Sequence, residues 1–272
     1  MDAPTPIAEE RWQHFRDRRD AELAEPHGWL TLASLQWLSH EPSTVDLVPG
    51  LWASEDGRAR LLAEAADGLT ELSSGGPVEG AITAALDDEE SLSWVSYGGE
   101  DGHRIVVELA RRADRYAIRT RDALAPTLTD FSGVPVFGYR PDLVLKGRFE
   151  PYPAPLVEQI TTAHPEVPGL QTSVGDIVFS LLDGPQEIRL KASRDATGAL
   201  SITFHDSTNG TTTAPWRRLT TPAPGPEGAV VLDFNRAINY PSAFTAFGTC
   251  PMPVTSNVID GPIEAGEQQP RG

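Results

Sequence analysis

The chain has 272 residues, 39% of them hydrophobic, and a formal net charge of −17, which is enough chain to bury one large core or two modest ones. No run of about 18 apolar residues offers a membrane span, and the opening MDAPTPIAEERWQHF has neither the basic start nor the apolar stretch of a signal peptide. The negative charge disfavours nucleic acid and anionic membranes, whose phosphates are held by Lys and Arg, so the expectation is a cytoplasmic protein with a small molecule or a protein as its partner.

From Ile7 to Ala24, the residues Trp12, Phe15, Arg19 and Leu23 recur at three- or four-residue steps among charged ones, an amphipathic helix pattern that Pro26 ends. The run WLTLASLQWL, Trp29 to Leu38, is apolar on nearly every turn and is expected as a short, buried second helix. Residues 1–41 are thus a helical segment packed on the body. Beyond Pro42 the pattern changes to short alternating or β-branched runs such as RIVVELA, RYAIRTRD, DIVFSLL, EIRLKAS, ALSITFHD and AVVLDF. They are broken by Gly, Pro, Asp and Asn, as in an antiparallel sandwich or barrel-like sheets. The RLLAEAADG run, Arg60 to Gly68, reads as either helix or strand. Prolines at both ends of residues 150–169 suggest a connection over 151–169, dividing a β-rich half, 42–150, from a second one, 170–272.

Six dispersed histidines form no HxH, HxxxH or HExxH pair, and no GxSxG, Walker or GxGxxG motif stands in its required context. No metal and no cofactor is therefore expected. The single cysteine, Cys250, excludes an intrachain disulfide and a thiolate-rich metal site; its bland role is a small buried hydrophobe.

The polar chemistry concentrates late. His205 and Asp206 end a strand and lead into Ser207, Thr208, Asn209 and Gly210, which is either an Asx-type hairpin turn or an exposed acid. After the strand Ala229–Phe234, the segment with Asn235, Arg236, Asn239, Tyr240 and Pro241 is rich in side-chain donors. In one reading Asp233 and Arg236 form an ion pair while Asn235 and Asn239 hold loop backbone. In the other, Arg217 and Arg236 fork toward a carboxylate or phosphate, with Tyr240 and Phe244 as walls. The tail TCPMP and the stretch to Glu267 are expected to run extended, covering a sheet edge or closing a pocket mouth.

The WLTL segment, the Arg121–Asp122 pair, the Asp206–Thr213 segment before Arg217 and Arg218, and above all DFNRAINYPSAF…TCPMP…IEAGE together resemble the domain-of-unknown-function 1684 family of bacterial proteins. The resemblance strengthens the pocket reading of the arginines, Asp233, Asn235 and Asn239, but brings no activity. Where the family reads YNPPCAF, this chain has Ile238, Tyr240 and Ser242, so chemistry needing a second cysteine is not expected. Three functions stay open. A hydrolase or lyase would use Asp206 or Asp233 as acid or base, with Arg217, Asn235, Arg236, Asn239 and Tyr240 binding an anionic molecule and His205 or Cys250 in secondary roles. The alternatives are a noncatalytic small-molecule-binding module and a structural scaffold. Arg217 and Arg236 both paired to Asp206 and Asp233, with no open volume, would favour the scaffold.

Overall fold

The structure is a computed structural model that describes residues 6–99, 103–181 and 186–270. It divides into two compact units, Leu23–Phe131 and a discontinuous one of Met1–Glu22 with Ser132–Gly272. The protein is mainly β, with antiparallel sheets and an N-terminal helix. No helix among the described residues is long and apolar enough to cross a membrane.

The first element, α1 (Pro6–Leu23), is the expected helix. Trp12 and Arg16 are buried on it, and Phe15, Arg19 and Asp20 are half-buried, one face at three- and four-residue steps. Within the unit Leu23–Phe131 the strands are β1 (Leu32–Trp37), β2 (Ser43–Val45), β3 (Val48–Glu55), β4 (Arg58–Ala63), β5 (Thr70–Glu71), β6 (Gly80–Ala84), β7 (Ser91–Gly98), β8 (Arg104–Arg112) and β9 (Arg115–Asp122), followed by the one-turn helix α2 (Pro126–Thr129). They form the sheets β1-β9-β8-β7-β5 and β2-β3-β4-β6. Trp52, Leu61, Trp94, Leu109 and Ile118 fill the core, with Trp52 and Trp94 edge to face at 5.8 Å. The WLTLASLQWL run is not the second helix its apolar density suggests. A single 3-10 turn, Trp29–Thr31, leads into β1, which pairs with β9 from Leu32↔Arg121 to Trp37↔Ala117. A short apolar run suits either element, and the open edge of β9 decides it. The ambiguous RLLAEAADG run is strand to Ala63, then a 3-10 turn over Ala65–Asp67.

The second unit carries β10 (Val144–Ile160), β11 (Gly169–Phe179), β12 (Ile188–Arg194), β13 (Leu200–Asp206), β14 (Arg217–Thr221), β15 (Ala229–Asp233), β16 (Ile238–Asn239) and β17 (Val258–Ile259). The stretch 151–169, expected as a connection, instead continues β10 as far as Ile160, because Leu156 to Ile160 pair with Ser173 to Gly169 across a register shift at Pro151. Prolines at a bulge are compatible with a strand.

The strand order β15-β10-β11-β12-β13-β14-β16 puts β15 and β16 on opposite edges, although only the four residues 234–237 link them. Six spacings of about 4.8 Å make a flat sheet about 29 Å wide. The link reaches at most about 18 Å, so the sheet must roll. Phe149, Ile177, Leu190, Ile202, Phe204, Leu219, Leu232 and Phe234 form the core of this unit. Strand alternation then sorts the polar residues. On β13, Leu200, Ile202, Phe204 and Asp206 are buried and set one face, and on β14 Arg217, Leu219 and Thr221 do the same. Thr203 and Arg218, a cross-strand pair, take the opposite, outer face.

Candidate functional site

Asp206 and Arg217 both reach the inner face, where each side chain has zero exposure, and they pair at 2.7 Å. Isolated there, either charge would be strongly destabilising. Asp206 Oδ2 accepts from Arg217, and Oδ1 accepts from the Thr208 amide at 2.9 Å, the Thr208 hydroxyl at 2.5 Å and the Ile263 amide at 3.2 Å. Arg217 also donates to the carbonyls of Ile263, Ala265 and Glu267, and its guanidinium lies 5.6 Å from the Phe204 ring centroid. Burial pushes the pKa of Arg217 below its ordinary value, opposed by Asp206 and Glu267. Both readings of Asp206 thus have a geometric answer: it closes an Asx turn onto Thr208 and neutralises Arg217.

A second cluster follows β15. Asp233 accepts from the Asn235 amide, from Asn235 Nδ2 at 2.9 Å and from Arg236 Nε at 3.2 Å. Asn235 is buried and exchanges two bonds with the backbone of Arg140, while its carbonyl takes the Trp12 indole N–H at 3.0 Å. Arg236 stacks over Phe15 at 5.0 Å. Asn239 donates through Nδ2 to the Gln268 carbonyl, and its own carbonyl takes a bond from Arg19. These two asparagines therefore hold backbone and connect β16 to α1 and the tail.

The centre of that connection is Glu267, which is fully buried. Its Oε1 accepts from Arg16 and Arg19, each at 3.1 Å, and its Oε2 accepts from the Asn239 amide at 2.7 Å. Gly266 beside it has φ +75°, and a Cβ there would stand 2.5 Å from the Ala237 carbonyl oxygen. Sequence reasoning did not place Glu267 at a site; the IEAGE run was its one signal. Asn257 was missed with no signal at all. Its side chain is buried between β12 and β13, bonding the Lys191 amide and carbonyl and the Thr203 carbonyl.

The remaining predicted residues lie elsewhere. His205 is half-buried, with Nδ1 on the Pro215 carbonyl at 2.9 Å. Tyr240 shares a 2.5 Å hydrogen bond with Thr203; burial raises its pKa, opposed by that bond and by Arg218, while Cys250 is near enough to act in the same sense as burial. Cys250 is buried, and its carbonyl accepts from the Ala163 amide. The structure therefore brings together Asp206 with Arg217 and Asp233 with Asn235 and Arg236, but aims neither arginine at a shared ligand position. An open groove of about 400 Å³ lies between β10 and β11, lined by Lys146, Arg148, Phe179 and Glu187 among others and by none of the predicted residues.

No curated protein matches the chain. Among solved structures, the solution NMR structure of an uncharacterized protein from gene locus rrnAC0354 of Haloarcula marismortui is 24% identical, covering 52% of this chain and 78% of that one with a TM-score of 0.42. A family model matches residues 129–268, leaving the WLTL segment and the Arg121–Asp122 pair outside the match. It takes in the rolled sheet, the buried Asp206–Arg217 pair and Glu267, and by it the chain belongs to the family described as protein of unknown function (DUF1684).

Proposed function

We propose that this protein acts without catalysis, and that its DFNRAINYPSAF and IEAGE segments form a structural clasp fastening α1 and the tail to the rolled sheet. One observation carries the reading: Arg217 and Asp206, the most plausible clamp and acid of an active site, have no exposed side-chain surface and bond each other and the tail backbone. A general acid must come within hydrogen-bond reach of the substrate proton it handles. Asp206 meets no solvent, and Asp233 is held by Asn235 and Arg236.

The test is turnover of a panel of p-nitrophenyl esters and phosphates by the purified protein and by its Asp206→Asn and Asp233→Asn variants. The expected result is no turnover above the uncatalysed rate by any of the three proteins, and turnover above it by the unsubstituted protein counts against the proposal. Turnover abolished by either substitution, with the thermal midpoint retained, overturns the proposal.

A further inference from the structure

The four arginines that reach the clasp, Arg16, Arg19, Arg217 and Arg236, each hold a carboxylate. Arg218 does not. It is half-buried on the outer face of β14, its Nε is buried without a partner, and among the described residues its guanidinium makes no hydrogen bond or ion pair. Its one close interaction is with the Tyr240 ring, 5.5 Å from guanidinium carbon to centroid. The nearby cation Lys191, linked to the Thr203 strand through Asn257, is already neutralised by Glu158 at 2.6 and 2.7 Å. In a chain of net charge −17, a partly desolvated arginine with no anion beside it stands out.

Two hydroxyls adjoin it. Thr203 is the cross-strand partner of Arg218, and its hydroxyl bonds that of Tyr240 at 2.5 Å. The pair has two hydroxyl protons and uses one internally, so whichever oxygen donates, one O–H remains unspent. Burial holds the Tyr240 phenol above its ordinary pKa, opposed by Thr203 and Arg218, which keeps that proton in place at neutral pH. A planar fork of N–H groups beside a free O–H donor matches a carboxylate or a phosphate.

We infer that Arg218, Tyr240 and Thr203 form a binding site for the oxyanion of a small molecule, on the outer face of the rolled sheet and away from the buried Asp206–Arg217 pair and Glu267. This goes beyond the noncatalytic reading and stands whether or not that reading holds.

The experiment is calorimetric titration and thermal shift of the whole protein with sodium phosphate and with sodium succinate at fixed ionic strength. Binding to the native state raises the unfolding midpoint saturably. At least one probe is expected to do so, phosphate alone marking a phosphate ligand and succinate alone a carboxylate. Arg218→Gln should weaken binding at least about tenfold, the loss expected for a hydrogen bond to a charged group, while the exposed Arg148→Gln leaves it unchanged. If Arg218→Gln is poorly folded, Tyr240→Phe supplies the comparison, with a smaller loss. No saturable response of the unsubstituted protein to either probe overturns the inference, as does undiminished binding in a folded Arg218→Gln variant.

Discussion

Arg217 and Arg218 are adjacent in β14 and so face opposite sides of the sheet, one into the core and one onto the outer face. The period-2 run Leu200, Ile202, Phe204, Asp206 carries that difference, because it puts an acid on the apolar face and demands a buried cation opposite it, but from the sequence Arg217 reads as a clamp for a ligand. What could not be read was that the other acceptors of Arg217 are backbone carbonyls of Ile263 and Ala265, far along the chain, since sequence carries no register for an irregular tail. Replacing Arg217 by Met leaves the Asp206 charge buried and unpaired, and should cost about 3–5 kcal/mol in urea unfolding. In the Asp206→Asn/Arg217→Met double variant the loss should fall well short of the sum of the single ones; strict additivity would mean that the two do not interact. Gly266→Ala meets both a left-handed backbone and the Ala237 carbonyl, so a loss above about 2 kcal/mol is expected. A variant as stable as the parent would show that the tail can shift.

Elements were legible where their pattern ran on unbroken and missed where it was short or interrupted by proline. The helix α1 came out correctly because its face repeats over several turns, and the alternating runs gave β8, β9, β12 and β13. The run at Leu32 became strand β1 because only the partner β9 distinguishes the two outcomes. The buried face of α1 carries Arg16 and Arg19 as well as Trp12, so it docks through Glu267 and Asn235 as much as through apolar contact. Glu267→Gln keeps the shape but removes the charge that both arginines share. The expected result is faster amide hydrogen exchange along α1 than along β13 or β14 in the same variant; equal acceleration in all three would mean that α1 has no separate dependence on Glu267.

At the scale of the molecule, charge sets the behaviour. With a sequence pI near 4.7, solubility should fall as the pH approaches that value, because net repulsion between copies vanishes. In the unit Leu23–Phe131, the titrations of His27 and Glu108 weaken the fold on acidification. Burial, with Arg121 and Arg104, pushes the pKa of His27 below its ordinary value, so the fold favours the neutral ring. Its contribution is full above about pH 6.5 and declines as the pH falls through the lower folded value. For Glu108, burial alone would raise the carboxyl, but Arg121 and Arg119 outweigh it and hold the pKa below the usual range. That contribution is full above about pH 4.3 and is lost on further acidification through the folded value. Hydrogen exchange of amides in this unit should therefore report two successive losses of protection. His27 sits at φ +60°, which Asn tolerates, so His27→Asn should remove the upper step and keep the lower one. Persistence of the upper step would assign it to another group.

The ion pair between Arg16 and Glu267 joins positions 251 residues apart. A ribosome adding about 5–20 residues per second makes α1 roughly 13–50 s before its acceptor exists. Trp12 and Phe15 wait likewise for Tyr139, Asn235 and Arg236, while the residues of Leu23–Phe131 all precede those partners. Completion of the unit that holds α1 thus waits on the stretch around Glu267, and a nascent chain stalled short of it would present the helix without its central acceptor.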